Sequence, residues 1–419
     1  MELHPSERGK RPRDGRVLTH KRDLRTGEPV WTKSRRPPVA HGPLTGDLEA
    51  EVLVVGAGIS GALMAETLTE AGFDVVVVDR RGPVEGSTAA STALLQHELD
   101  VPLTHLQRSL GLEKATRVWL RSRLVVTALQ ERTQRLGIEA ELAPREALYL
   151  AGDVLNAHGL AKEADARRSI GLEVDLLGSR QLRERYGLRR SAALLGFGNW
   201  VAEPRKLAAG YLRVAVGRGA RVFAPVDVAH VREHARGVVA TTRQGQRIRA
   251  RHAVFATGYE VFEGLEARGH SLHSSWVIAT KPQPRALWPS ECMIWEASDP
   301  YLYLRTTSDG RVLCGGADEP FVDSQRRDAL SARKFALLQR RLKRLLPQLD
   351  VEPACAWAGT FGTSATGAPI IGRLPGKRRL YTVLGCGGNG ITFSMLAAQL
   401  IRALVLGEQD RDAELFSPR

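Results

Sequence analysis

Residues 51–81 read EVLVVGAGISGALMAETLTEAGFDVVVVDRR. Residues 52–55 and 75–78 are short apolar runs rich in valine, bounded by turn-forming residues, and each predicts a buried strand. Between them Ile59, Leu63, Thr67 and Leu68 fall on one face of a helix, and Gly72 stands where a helix C-terminus favours a left-handed residue. Strand, glycine turn, helix and strand make a βαβ unit. Unbroken apolar runs in both strands, nearly all valine, predict a parallel sheet covered on both faces.

The turn carries the chemistry. Gly56, Gly58 and Gly61 form GxGxxG directly after the first strand and at the mouth of the helix, and Asp79 closes the second strand. Gly56 allows the tight turn, Gly58 lets backbone approach a pyrophosphate, and Gly61 lets helix and strand pack closely. The helix N-terminus adds N–H groups and positive dipole, and Asp79 suits ribose hydroxyls. This pattern predicts a bound dinucleotide without separating FAD from NAD, because both share an adenosine diphosphate half.

Working outward, Arg80-Arg81-Gly82 follows the second strand. Next comes GSTAAST at 86–92, whose hydroxyls at Ser87, Thr88, Ser91 and Thr92 suit a diphosphate and a flavin edge. Far downstream, residues 380–384 read as another buried strand, followed by Gly385-Cys386-Gly387-Gly388-Asn389-Gly390. A helix from Ile391 then runs to 406, where Gly407 stops it. A helix N-terminus here suits the pyrimidine side of a flavin, where negative charge gathers on reduction.

A chain of 419 residues predicts two domains. Residues 1–48 are rich in Arg, Lys, Pro and Gly and predict a basic tail, with Val30 and Trp31 as its apolar anchor and its second half as an ordered strap. Helix is expected around 103–136 and 330–346, and strand at 147–151. A small antiparallel meander is expected from 221–225, 238–242 and 252–257. The net charge of +14 comes from scattered arginine rather than an aromatic-interleaved stripe, which argues against a nucleic-acid partner. Four separated cysteines, with no histidine at ligand spacing, predict neither a metal site nor a disulfide framework. No run of about 18 apolar residues is evident, so no membrane-spanning segment is expected and a cytoplasmic location is.

The chain resembles the FAD-dependent D-amino acid oxidase superfamily, which includes glycine oxidase, sarcosine oxidase and gamma-glutamylputrescine oxidase. The resemblance covers about residues 50 to 405. It rests on the first βαβ unit, GSTAAS, Ala256-Thr257-Gly258, WAG and GAPIIG between Trp357 and Gly372, and LGCGGNGI. It implies an α/β fold with mixed α+β character: a discontinuous Rossmann-like FAD domain beside a substrate domain on a mixed sheet. On this reading 49–145, 201–262 and 351–419 form the FAD domain, and 146–200 and 263–350 the substrate domain.

The resemblance further implies non-covalent FAD and hydride transfer to flavin N5 from the carbon beside a nitrogen. Gly56, Gly58, Ile59, Ser60 and Gly61 would hold the diphosphate. Asp79, Arg80 and Arg81 would take the adenosine side, and Val228 the adenine. Ser87, Thr88, Ala89, Ser91, Thr92, Ala256, Thr257, Gly258, Gly385, Gly387, Gly388, Asn389, Gly390 and Ile391 would take the rest. Glycine oxidase-like members grip a substrate carboxylate with arginines where this chain has Phe361 and Gly388, so a plain α-amino acid lacks its bidentate anchor. Arg305 is a candidate replacement. Strand alternation puts it on one face with Tyr301 and Tyr303, while Gln96 and His97 are further candidates beside the flavin. The flavin-linking cysteine of sarcosine oxidase falls near Gly359 here.

A small amine or amino acid-like substrate is the leading expectation, with oxygen and a quinone or carrier both open as electron acceptor. A hydroxy acid or polyol gripped by Arg305 is the alternative enzyme. A flavin-bound protein associated with RNA or another partner is the alternative of a different class.

Overall fold

The structure, a computed structural model, describes residues 21–35, 37–260, 270–364 and 366–418. Among these residues the strands form two sheets. The first runs in the order Ile370–Arg373, Leu380–Leu384, Arg247–Phe255, Leu48–Val55, Val75–Val78, Arg221–Phe223, and the meander of Val228–His234 and Gly237–Thr242 joins through Arg247–Phe255. Leu48–Val55 pairs in parallel with Val75–Val78 and with Arg247–Phe255. The expected βαβ unit is therefore present, and the helix Ile59–Glu70 lies between its strands in sequence.

Alternation along the two central strands sends side chains to opposite faces. Val52, Val54, Val75 and Val77 join the core under helices Ile59–Glu70, Pro204–Gly217 and Gly390–Leu406. Leu53, Val55, Val76 and Val78 meet Val231, Val238 and Ala240 of the meander. Both faces are covered, as unbroken valine requires. One cover is a meander whose first strand, Val228–His234, lies outside the segments expected from the sequence, while Arg221–Phe223 joins the parallel sheet instead.

By length and hydropathy, Gly387–Leu406 would be able to cross a membrane, contrary to the sequence expectation. It is a core helix here: its residues Ile391, Phe393, Leu396, Leu400 and Ile401 are buried in the same cluster as the first βαβ unit.

The second sheet has ten strands, with Pro353–Ser364, His270–Thr280, Val312–Glu319, Leu302–Thr306, Met293–Glu296, Ala143–Leu150 and Ala192–Val201 as its body. Met293–Glu296 pairs in parallel with Ala143–Leu150 and antiparallel with Leu302–Thr306, so the sheet is mixed. Helix Ser324–Leu345 buries Leu338, Leu342 and Leu345 against Trp276, Ile278 and Leu304 of this sheet. Pro353–Ser364 stays in this sheet, paired along its length with His270–Thr280, so the chain returns to the nucleotide sheet at Ile370 rather than at 351.

Part of the expected tail is built into the body. Arg25–Gly27 pairs with Trp357–Gly359 at the sheet edge, and Trp31 is buried, with its Nε1 donating to the Ser91 carbonyl at 2.8 Å. The tail expected over residues 1–20 lies outside the described residues.

Candidate active site

Both glycine turns open on one cleft. Gly56, Gly58 and Ser60 line it from one side, and Gly385, Gly390 and Ile391 from the other. The two helices that begin there are joined by Ser60 Oγ and Ser394 Oγ at 2.7 Å. Gly56 has φ +113°, and a Cβ there would stand 2.3 Å from the Ala256 carbonyl oxygen. A Cβ on Gly61 would stand 1.8 Å from the Gly56 carbonyl oxygen. Gly61 therefore serves the close packing of turn on helix, and it is Gly56 and Gly58 that face the cleft.

Asp79 is placed by its own turn. Its Oδ2 accepts the Ala57 N–H at 2.8 Å, and its Oδ1 accepts those of Arg81 and Gly82 at 2.8 and 3.0 Å. Asp79, Arg80, Arg81, Val226 and Val228 line the cleft, as do Ala256, Thr257 and Gly258. Arg80 and Arg81 both pair with the buried Glu260, at 3.4 and 2.6 Å. They shape the cleft with much of their charge already matched.

The cleft continues into a second cavity, and Ser87, Ser91, Tyr259 and Gly390 line both. The 86–92 loop sits between them. Thr88 Oγ1 accepts the Ile59 N–H at 3.0 Å, which caps the first helix. Ser87 Oγ is buried with no hydrogen-bond partner among the described residues. A buried hydroxyl of that kind at the junction of two clefts suits a polar ligand that bridges them. Ala89 is buried in the same short helical turn and lines neither space. These features fit an extended dinucleotide: glycine-lined backbone where phosphates pass, an acidic end for a ribose, and a second helix terminus at the far end.

The cavity is walled by the ten-stranded sheet and the second glycine turn. Tyr301, Tyr303, Trp295, Ser275, Trp357, Gly359, Thr360 and Phe361 come from the sheet side, Thr92, Gln96 and Asp100 from the loop after GSTAAS, and Gly387, Gly388 and Asn389 from the turn. Tyr303 lies across the sheet because its register partner is Gly315, where a Cβ would stand 2.2 Å from the phenol oxygen. Burial is the largest influence on the Tyr303 phenol and pushes its pKa up.

Arg305 does not line the cavity. Its Nη1 donates to the carbonyls of Thr92, Ala93 and Ala202 at 3.0, 3.0 and 2.8 Å, and its Nε to that of Thr306 at 2.9 Å. Alternation puts Arg305 and Tyr303 on one face as expected, yet Arg305 lies further along the strand, beneath the 92–93 loop. It ties that loop down and is not free to grip a substrate anion. Burial pulls its guanidinium pKa down to about 9.

His97 is also held behind the wall. Its Nδ1 meets Asn199 Oδ1 at 2.9 Å, its N–H donates to the same oxygen, and burial lowers its pKa. Gln96 reaches the cavity, and its carbonyl accepts from Thr392 Oγ1 at 3.1 Å.

Asp100 escapes the sequence reading. Its Oδ2 accepts the Gly388 N–H at 2.9 Å from a position 288 residues away, and no local pattern in ELDVP marks it. Burial raises its pKa, opposed by that backbone hydrogen bond.

The profile of the FAD dependent oxidoreductase family DAO matches residues 51–404. The chain belongs to this family. It is an FAD-dependent oxidoreductase. It is 26% identical over 377 residues to the gamma-glutamylputrescine oxidoreductase of Escherichia coli, covering 88% of this chain and 86% of that one. It is 24% identical over 366 residues to the glycine oxidase of Geobacillus kaustophilus, covering 85% and 92%. The crystal structure of glycine oxidase from that organism shares the fold, with a TM-score of 0.74 over 89% of this chain and 99% of that one, at 24% identity. The L-proline dehydrogenase of P. horikoshii does so with a TM-score of 0.70 at 18% identity, over 89% and 97%.

Proposed function

We propose that this oxidoreductase acts on a small amine, with FAD held non-covalently along the cleft between the two glycine turns. The observation that carries the reading is the continuity of that cleft with an aromatic-walled cavity through Ser87, Ser91, Tyr259 and Gly390. When bound, FAD supplies a hydride acceptor at N5 for the carbon beside the substrate nitrogen.

The protein's share is position and exclusion of water. Gly56, Gly58 and the first turn of Ile59–Glu70 receive the diphosphate, and Asp79 and Val228 bound the adenosine end. Gly387, Gly388 and Asn389 border the ring end, where the second helix terminus favours the charge gained on reduction. Tyr301, Tyr303, Trp295 and Phe361 close the substrate side with apolar surface. Oxidation of a neutral amine by hydride loss needs no strong base, which agrees with a cavity that His97 does not line.

Cys386 lines the cofactor cleft, but burial pushes its thiol up to about 12, which keeps it protonated and a poor nucleophile toward the cofactor. Acid precipitation should therefore leave the yellow colour in the supernatant, and colour retained in the pellet would refute non-covalent binding. A hydroxy acid held by Arg305 loses its support, because that guanidinium is engaged by four backbone carbonyls. Anaerobic mixing with a panel of amines, amino acids and hydroxy acids tests the reaction. Amines should bleach the flavin fastest, and bleaching by hydroxy acids alone would overturn the proposal.

A further inference from the structure

The cavity's charge pattern bears on which amines it takes. Among its described lining residues are six aromatic side chains, Tyr259, Trp295, Tyr301, Tyr303, Trp357 and Phe361, and one carboxylate, Asp100; no lysine, arginine or histidine is among them. A substrate carboxylate would meet aromatic ring faces, which carry partial negative charge, and an acid, with nothing to compensate it. A cation would meet favourable partners in the aromatic rings and in Asp100.

Asp100 is held in place by the second glycine turn. Gly388 N–H donates to its Oδ2, while Asn389 Nδ2 donates to the Glu98 carbonyl at 2.6 Å and Thr392 Oγ1 to that of Gln96. The two glycines also make its room: a Cβ on Gly387 would stand 2.6 Å from Asp100 Oδ2, and one on Gly388 2.9 Å from Oδ1. Asp318 Oδ1 is buried with no hydrogen-bond partner among the described residues, and Tyr301 and Tyr303 line the cavity. Those two rings lie 5.8 Å apart and tilted by 39°. Aromatic rings with the Asp100 carboxylate among them make a receptor for an ammonium group.

An ammonium held at a carboxylate keeps its proton, whereas the nitrogen beside the oxidised carbon must be neutral when hydride leaves. The bound cation is therefore a second one. Resting on the amine-oxidising reading, we propose that the cavity selects diamines and other amines bearing a distal cation, received by Asp100 against Tyr301 and Tyr303, and rejects substrates with a carboxylate at that place.

The holoenzyme tests this with three four-carbon probes, putrescine, butylamine and gamma-aminobutyrate, by the rate of anaerobic flavin bleaching at low substrate. Putrescine should exceed butylamine by about tenfold or more, the scale of one partly screened charge pair, with gamma-aminobutyrate slowest. Asp100→Asn keeps an acceptor for the Gly388 N–H and removes the charge. The putrescine-to-butylamine ratio should then fall toward one, and the dissociation constant of the unreactive cation benzyltrimethylammonium, read from the flavin spectrum, should rise about tenfold. Equal rates for the three probes in the natural enzyme would overturn the proposal, even if the variant does not fold. So would a preference that survives in flavin-loaded Asp100→Asn. If benzyltrimethylammonium binds in an Asp100-dependent way while no amine bleaches the flavin, the cation receptor stands and amine oxidation falls. Amine bleaching without any cation preference has the opposite meaning.

Discussion

Gly61 and Arg305 are residues whose work is set by what lies within a few ångströms of them. At Gly61 the obstacle to any side chain is the Gly56 carbonyl, a backbone atom that moves only if the whole turn moves. Gly61→Ala should therefore lose FAD while retaining the fold, with occupancy read from the ratio of flavin to protein absorbance; normal occupancy would contradict the packing role. Arg305→Ala leaves buried carbonyls without their donor, a loss of at least about 2 kcal/mol in stability. The ranking of acidic against neutral substrates should not change, and chemical denaturation with substrate profiling checks both halves. Asp318 titrates abnormally, because burial, with a smaller push from Asp100, raises its pKa to about 7 from the ordinary 3.8. The unfolded chain sheds that proton near 3.8 and the folded chain near 7, so between these values the folded state binds more protons and stability falls as pH rises. Thermal melts of the natural protein and Asp318→Asn over this range should diverge, the variant losing less stability toward pH 7; parallel curves would count against a buried, proton-binding Asp318.

At the scale of elements, the strap formed by Arg25–Gly27 and the turn Val30–Lys33 connects the ten-stranded sheet to the 86–92 loop. Trp31 holds the Ser91 carbonyl, its own carbonyl accepts from Arg205 Nη1 at 2.6 Å, and the Arg305 guanidinium lies 5.4 Å from its ring centre. Ser91 lines both the cofactor cleft and the cavity. Trp31→Ala should cost about 3–5 kcal/mol, as truncation of a buried tryptophan does. It should also weaken FAD retention, because the strap and the loop are ordered together. Denaturation curves and FAD titration of the apoprotein measure the two effects, and an unchanged FAD affinity would separate the strap from the site.

At the scale of the molecule, the cleft is assembled from Leu24 and four further well-separated stretches, near residues 55–60, 78–91, 226–260 and 383–391. A ligand that touches all of them stabilises the arrangement as a whole. Apoprotein should melt well below holoprotein, and FAD at a thousand times its dissociation constant should restore about 4 kcal/mol. A melting temperature indifferent to FAD would mean that the stretches are held without it. Both sheets should share this dependence, because Leu94, Trp357 and Gly359–Phe361 of the ten-stranded sheet line the adjoining cavity together with Gly387–Gly390.

The sequence by itself determined the nucleotide-binding half: the βαβ unit, its glycine turn, Asp79 and the second strand–turn–helix at 380–406. Those signals are local, since a glycine required by a tight turn or an unbroken valine strand is decided by neighbours a few residues away. Tertiary structure alone decided the rest. It turned Arg305 onto carbonyls, kept Pro353–Ser364 in the ten-stranded sheet, drew Arg25–Gly27 to that sheet's edge and set Asp100 against Gly388. Each of these rests on partners dozens to hundreds of residues apart, where hydrogen-bond donors, acceptors and free volume meet only after the chain has folded, and no periodicity records them.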